Sequence, residues 1–213
     1  MQAEIAGLTD LAQTDVQKLD VIERYEKFAP VYNQSVTDWG YHCYQTAAEL
    51  LHQQVAPEQP VLDAGCGTGL VGEALAGLGY QNISGIDISD DMLKQAKETG
   101  YYRTLQQQDL SQTPYALTEA SFAGITCVGV FSLIADPTLV LQEYCRLLQP
   151  GGWLVFTQQE PLYKKNGYAA ILSKFEQTGA LRCEQISEPV VYLPRREGYA
   201  DRKVIYCVYQ NSP

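Results

Sequence analysis

The chain has 213 residues, of which 46% are hydrophobic and 19% charged, the balance of a folded domain and not of a disordered one. Its 15 Lys and Arg against 25 Asp and Glu give a formal charge of −10, so a broad nucleic-acid face is excluded by repulsion from phosphate. Its apolar runs, such as 152–156, fall far short of the roughly 18 residues that span a bilayer, and Glu4, Asp10 and Asp15 stand where a signal peptide carries basic residues.

Residues 1–14 show no period and read as a loose tail. Val16, Leu19, Ile22, Tyr25 and Phe28 recur every third residue, which predicts an amphipathic helix ending before Pro30. A second helix is expected over about 38–54, closed by Pro57 and Pro60. These two make residues 1–56 a tail and helical lid, ahead of a core spanning 57–213. From Pro60 onward strands and helices alternate. Strands are expected at 61–64, 83–88, 102–107, 123–130, 153–157, 183–192 and 204–209, and helices at 69–77, after Ser89, from Asp136 to Leu148, and at 168–178. Ser89 offers an N-cap, with Asp90 and Asp91 favoured by the helix dipole in the first turn. Asp136 caps a helix that has Pro137 at its first position. This alternation predicts a doubly wound, three-layer α/β fold with a seven-stranded, mostly parallel, Rossmann-like sheet.

Six cysteines, at 43, 66, 127, 145, 183 and 207, include no C-x-x-C pair. They read as small buried hydrophobes or cofactor-loop residues in a reducing cytoplasm. With only His42 and His52 in the chain, no metal site is expected.

The most informative segment is Val61-Leu62-Asp63-Ala64-Gly65-Cys66-Gly67-Thr68-Gly69. Its glycines let backbone amides come close to a ligand at a strand-to-helix turn. A dinucleotide fingerprint would need glycine at position 70, where Leu70 stands. An acid, Asp63, also ends the strand. A pyrophosphate is repelled by that carboxylate, whereas a cation is attracted.

This motif resembles the first signature of the class I S-adenosylmethionine-dependent methyltransferases. The resemblance implies S-adenosyl-L-methionine as cofactor, held by Asp63, Gly65, Cys66, Gly67, Thr68 and Gly69. It implies that Asp87, 24 residues after Asp63, accepts the ribose hydroxyls, that Ile88 and Met92 flank the adenine, and that Asp109 and Leu110 meet its edge. Leu147-Leu148-Gln149-Pro150-Gly151-Gly152 is similar to the family's L-x-P-G-G turn. The run from Tyr25 to Asn33 resembles the Y-x-x-x-A-x-x-Y-D opening of small stand-alone members, with Asn33 in place of the acid, and it brings Tyr25 to the cofactor. Together with Gly67-Thr68-Gly69-Leu70-Val71 and Gly100-Tyr101-Tyr102, it is similar to the Williams–Beuren-region methyltransferase-like group.

After the fourth strand, Cys127-Val128-Gly129-Val130-Phe131-Ser132-Leu133 occupies the place of substrate-facing residues, with Cys127 beside the cofactor. It lacks the acid- or Asn-Pro-Pro motif of nucleic-acid amino-methylating relatives and the Pro-Cys nucleophile of cytosine C5 enzymes. An apolar mouth with aromatic walls is expected, formed by Tyr32, Trp39, Tyr41, Phe131 and Tyr163. His42 is either an ordinary helix residue or a general base. The reading is a cytoplasmic enzyme, monomer or homodimer, that methylates an oxygen or nitrogen of a small molecule and binds neither nucleic acid nor membrane. A protein methyltransferase and a non-catalytic cofactor-binding module stand as alternatives.

Overall fold

The structure, a computed structural model, describes residues 31–212. The helix expected over 16–28, with Tyr25, lies outside the described residues.

Helices α1 (Tyr32–Asp38) and α2 (Cys43–His52) open the described chain. The one helix expected at 38–54 is therefore two, separated at Gly40, whose φ of +75° ends the first helix. The core follows as β1 (Val61–Ala64), α3 (Leu70–Gly77), β2 (Ile83–Asp87), α4 (Asp90–Thr99), β3 (Thr104–Gln107) and β4 (Phe122–Cys127). A 3₁₀ turn (Phe131–Leu133), α5 (Pro137–Leu147), β5 (Leu148–Gln159), α6 (Glu160–Lys165) and α7 (Tyr168–Gln177) come next. Strands β6 (Leu181–Ile186), β7 (Val190–Val191) and β8 (Lys203–Asn211) complete it.

The expected caps form. Ser89 accepts from the Met92 amide at 3.3 Å, and Asp136 accepts from the Thr138 amide at 2.9 Å. The sheet order is β3-β2-β1-β4-β5-β8-β6, with β7 paired to β8. The first five strands in that order run parallel, and β8 is antiparallel to both β5 and β6. The sheet thus has eight strands, where seven were expected. The predicted strand 183–192 is interrupted at 187–189, where Pro189 has no N–H for the ladder. Helix α6 carried no sequence signal.

Alternating residues of the strands face two cores, as a sheet covered on both sides requires. One core gathers Leu62, Ile86, Ile125, Leu154 and Phe156 with Leu141 and Tyr144 of α5 and Leu172 of α7. The other gathers Val61, Ile83 and Val155 with Ala47, Ala48 and Leu51 of α2 and Leu75 of α3. Helix α2 is therefore one of the layers covering the sheet. Strand β1 continues to β2 on one side and neighbours β4 on the other, so the order of the sheet reverses there. The crevice beyond the carboxyl ends of β1 and β4 is where open α/β sheets bind ligands.

Candidate active site

The turn 65–69 fills that crevice. Gly65, Gly67 and Gly69 have φ of +77°, +52° and +99°, a backbone that side-chain-bearing residues rarely adopt. The amides of Gly65 and Cys66 both donate to the Ile86 carbonyl, at 2.7 and 3.0 Å, tying the turn to β2. A Cβ on Gly65 would come within 2.3 Å of Val130 Cγ2, so the turn lies hard against the segment after β4. A Cβ on Gly67 would meet nothing within 4 Å among the described residues.

Asp87 ends β2 beside this turn. Its Oδ2 accepts from the Gly67 amide and its Oδ1 from the Ser89 amide, each at 2.9 Å. A carboxylate offers about four acceptor positions, so about two remain for hydroxyls. Burial pushes the Asp87 pKa up, and the amides of Ser89, Gly67 and Ile88 hold it back. Ile88 is half-buried and Met92 and Leu110 are buried, which gives an apolar flank past the end of β2. Asp109 is half-buried and accepts from the Ser111 amide at 3.0 Å and the Ser111 hydroxyl at 2.7 Å.

Asp63 has no exposed surface. Its Oδ2 accepts from the Tyr102 hydroxyl at 2.7 Å and its Oδ1 from the Thr126 hydroxyl at 3.2 Å. Burial pushes its pKa up to about 7, the two hydroxyls pull it down, and the Asp87 charge raises it again. Cys66 is buried, its thiol pushed up by burial and by the charges of Asp63 and Asp87. Thr68 is buried and donates its hydroxyl to Asn33 Oδ1 at 2.5 Å. These two residues, with Gln95, Glu98 and Thr99 of α4, line an open cleft of about 520 Å³.

Of the residues expected to form the aromatic wall, Tyr41, Tyr32 and Trp39 pack in one cluster. Buried Tyr41 meets Tyr192 edge-on with ring centres 5.4 Å apart, and a Cβ on Gly129 would lie 3.4 Å from the Tyr41 hydroxyl. The Arg196 guanidinium lies over Trp39 at 4.1 Å and over Tyr199 at 3.9 Å, and Arg202 covers Tyr199 at 4.1 Å. His42 precedes α2 with an exposed ring, its Nδ1 2.8 Å from Gln45 Oε1.

Three expectations are corrected. Phe131 has no exposed surface; Tyr144, Phe156 and Tyr168 surround its ring, which makes it a core residue and not an acceptor contact. The Cys127 thiol is likewise buried and accepts from the Tyr144 hydroxyl at 3.4 Å, so its side chain does not reach a ligand. Tyr163 stacks on Tyr168 beside Cys183 and Cys207, on the β6–β8 side of the sheet. Two residues carried no site role in the sequence reading. Tyr102 bonds Asp63. Gln158, buried at the end of β5, accepts from the Ser132 hydroxyl and the Gln159 amide at 2.7 Å each.

A family model described as "Methyltransferase domain" matches residues 62–156. Methyltransferase-like protein 27 of Homo sapiens is 32% identical over 180 residues, which cover 81% of this chain and 70% of the human protein. This chain belongs to the class I S-adenosylmethionine-dependent methyltransferases. It is also 37% identical over 102 residues to a ubiquinone biosynthesis O-methyltransferase of Thiobacillus denitrificans, but spans only 43% of that protein's length. Among solved structures, the putative methyltransferase complexed with the Trm112 activator of Haloferax volcanii superposes with a TM-score of 0.69 at 17% identity, covering 91% of this chain and 98% of that one. A TehB-like methyltransferase of Corynebacterium glutamicum gives 0.64 at 22% identity, covering 87% and 99%. At these identities the two share the fold.

The methyltransferase's cofactor is S-adenosyl-L-methionine, and the residues present fit it. The open space at Gly67 leaves room for a ligand over the turn, Asp87 keeps acceptor positions for hydroxyls, and Ile88, Met92 and Leu110 supply apolar surface beyond it.

Proposed function

We propose that this methyltransferase transfers the methyl group to an oxygen or nitrogen of a small molecule. The observation that carries this reading is the aromatic enclosure at Gly129. The Tyr41 hydroxyl lies against Gly129 in the segment after β4, Tyr192 meets the Tyr41 ring, and Tyr32 and Trp39 pack on the same cluster, which favours a flat, partly apolar acceptor over a peptide or a base flipped from a nucleic acid. The name of the Thiobacillus denitrificans relative, an O-methyltransferase of ubiquinone biosynthesis, supports the same class.

S-adenosylmethionine, once bound, supplies an electrophilic methyl carbon. Asp87 would hold its ribose, Ile88 and Met92 would flank its adenine, and Asp109 with Leu110 would meet the adenine edge. Gly65, Cys66, Gly67, Thr68 and Gly69 would cradle the amino-acid end, with the Asp63 charge behind them. The segment 31–42 forms the near wall of the acceptor site and keeps water from it. Alignment of the acceptor behind the methyl carbon supplies most of the acceleration, up to about 7–11 kcal/mol for well-oriented reactants.

The test is incubation with methyl-deuterated cofactor and a metabolite extract, followed by mass spectrometry of small molecules and of proteins. A mass shift of about three units on a small molecule supports this reading, on the arithmetic of three deuterium atoms for three hydrogens. Label found only on proteins favours the protein-methylating alternative, and label on neither refutes transfer to this class.

A further inference from the structure

Helix α3 begins at Gly69, which has no side chain to cap it. The amide of Gly72, third in the helix, is one of the donors that an N-terminus leaves without an intrahelical partner. The Tyr102 hydroxyl accepts from that amide at 3.0 Å and donates to Asp63 Oδ2 at 2.7 Å. An N–H can only donate, so the single phenol proton is committed to Asp63. On the far side, the Thr126 hydroxyl lies 3.2 Å from Asp63 Oδ1 and 3.4 Å from the Leu62 carbonyl. A proton arriving on Asp63 therefore settles on Oδ1, with Thr126 turning its own proton to Leu62, while Oδ2 stays fixed.

The chain makes room for this phenol. A Cβ on Gly72 would stand 2.3 Å from the Tyr102 ring, one on Gly85 2.9 Å, and one on Gly69 3.2 Å. The slot thus joins the start of α3, the middle of β2 and the end of the glycine turn around one ring.

We propose that Tyr102 is a positioning residue for the cofactor turn, its one hydroxyl holding the Asp63 carboxylate and the first turn of α3 in a fixed relation. This role rests on the turn being the cofactor site. An ionised Asp63 behind the turn favours the cationic end of the cofactor, and Tyr102 favours that ionised form. Among the described residues, the titratable groups around Asp63 are Asp87, Cys66, Cys127, Tyr102 and Tyr144, none of them a cation. The hydroxyl donors therefore carry the stabilisation of its charge.

The experiment is calorimetric titration with S-adenosylhomocysteine across pH 5.5 to 8, a window chosen as roughly the range over which a carboxyl raised by burial gains its charge. It is run on the whole chain, as wild type and as Tyr102→Phe. The variant is expected to bind roughly 10-fold more weakly near neutrality, the order lost with a hydrogen bond to a charged group. The pH at which affinity falls away should also move upward, because Asp63 has lost a donor that favours its ionised form. Wild-type affinity, or weakening with an unmoved pH profile, overturns the role of Tyr102. Absence of binding by the wild type itself overturns the cofactor site and this role with it. Should Tyr102→Phe fail to fold, 3-fluorotyrosine at position 102 gives the complementary reading. Its more acidic hydroxyl donates more strongly, so the profile should move downward, and an unmoved profile overturns the role.

Discussion

The Thr68 hydroxyl donates to Asn33 Oδ1 at 2.5 Å, across 35 residues of chain. Thr68 belongs to the glycine turn and Asn33 to α1, so the helix that leads to Tyr41 is bonded to the turn proposed to cradle the cofactor. The two proposed ligand sites are thereby linked.

Asn33→Ala removes the acceptor from that bond. Affinity for S-adenosylhomocysteine should fall severalfold, in line with the ~0.5–1.5 kcal/mol net worth of a neutral hydrogen bond. Asn33→Asp can still accept and should keep wild-type affinity. Calorimetry on the three proteins checks the order, and equal dissociation constants would separate α1 from the turn.

Asp87→Ala tests the ribose site. Loss of a charged acceptor of hydroxyl hydrogen bonds typically costs ~1.5–3 kcal/mol, or roughly 10- to 150-fold in affinity. The Gly67 and Ser89 amides also lose their acceptor, so the melting temperature should fall by several degrees. An unchanged dissociation constant would remove Asp87 from the site.

Asp63→Asn separates stability from binding. The folded protein holds the Asp63 proton with a pKa of about 7 against an ordinary 3.8, so between those values the folded state binds more protons than the unfolded one. Stability of the unliganded protein therefore falls as pH rises from about 4 to about 7. Asparagine carries no charge to bury and can still accept from Tyr102. The variant should melt above the wild type at pH 8, by an amount on the order of 4 kcal/mol at most, and the gap should close towards pH 4. Cofactor affinity should drop in the same variant. Parallel melting curves at all pH values would contradict this account.

His42→Ala should reduce turnover by less than about 10²-fold, the lower edge for loss of a general base. The exposed ring, turned to Gln45 at the start of α2, is placed as a helix-end residue. Single-turnover rates on the acceptor found by isotope labelling decide the matter; a loss above ~10³-fold with cofactor binding intact would make His42 the base.

The parallel sheet and the glycine turn were legible because each leaves a local pattern. Val61, Leu62 and Ala64 are the apolar residues of a strand crossing a covered sheet, and Gly65, Gly67 and Gly69 take the positive φ of the turn. Asp87 was singled out through the family resemblance, and the structure sets it at the end of β2 beside the turn. Phe131 and Cys127 misled because an apolar run after a strand reads alike whether it lines a pocket or fills a core, and only the rings of Tyr144, Phe156 and Tyr168 decide. Tyr102 stood in the Gly100-Tyr101-Tyr102 motif, but its bonding role left no local pattern: its partners lie 39 and 30 residues away, and a tyrosine before a strand looks like packing. The interruption at 187–189 could have been read from Pro189, whereas α6 could not.

The stack of Arg196 on Trp39 equips the protein with an internal optical gauge. Trp39 and Trp153 are the two tryptophans of the chain, one in the turn between α1 and α2 and the other in β5. Indole emission depends on the charge and water around the ring, so any molecule that parts the guanidinium from Trp39 alters the intensity or colour of the emitted light. With Trp153 replaced by phenylalanine, that signal would come from Trp39 alone, and candidate acceptors could be ranked by titration without a turnover assay.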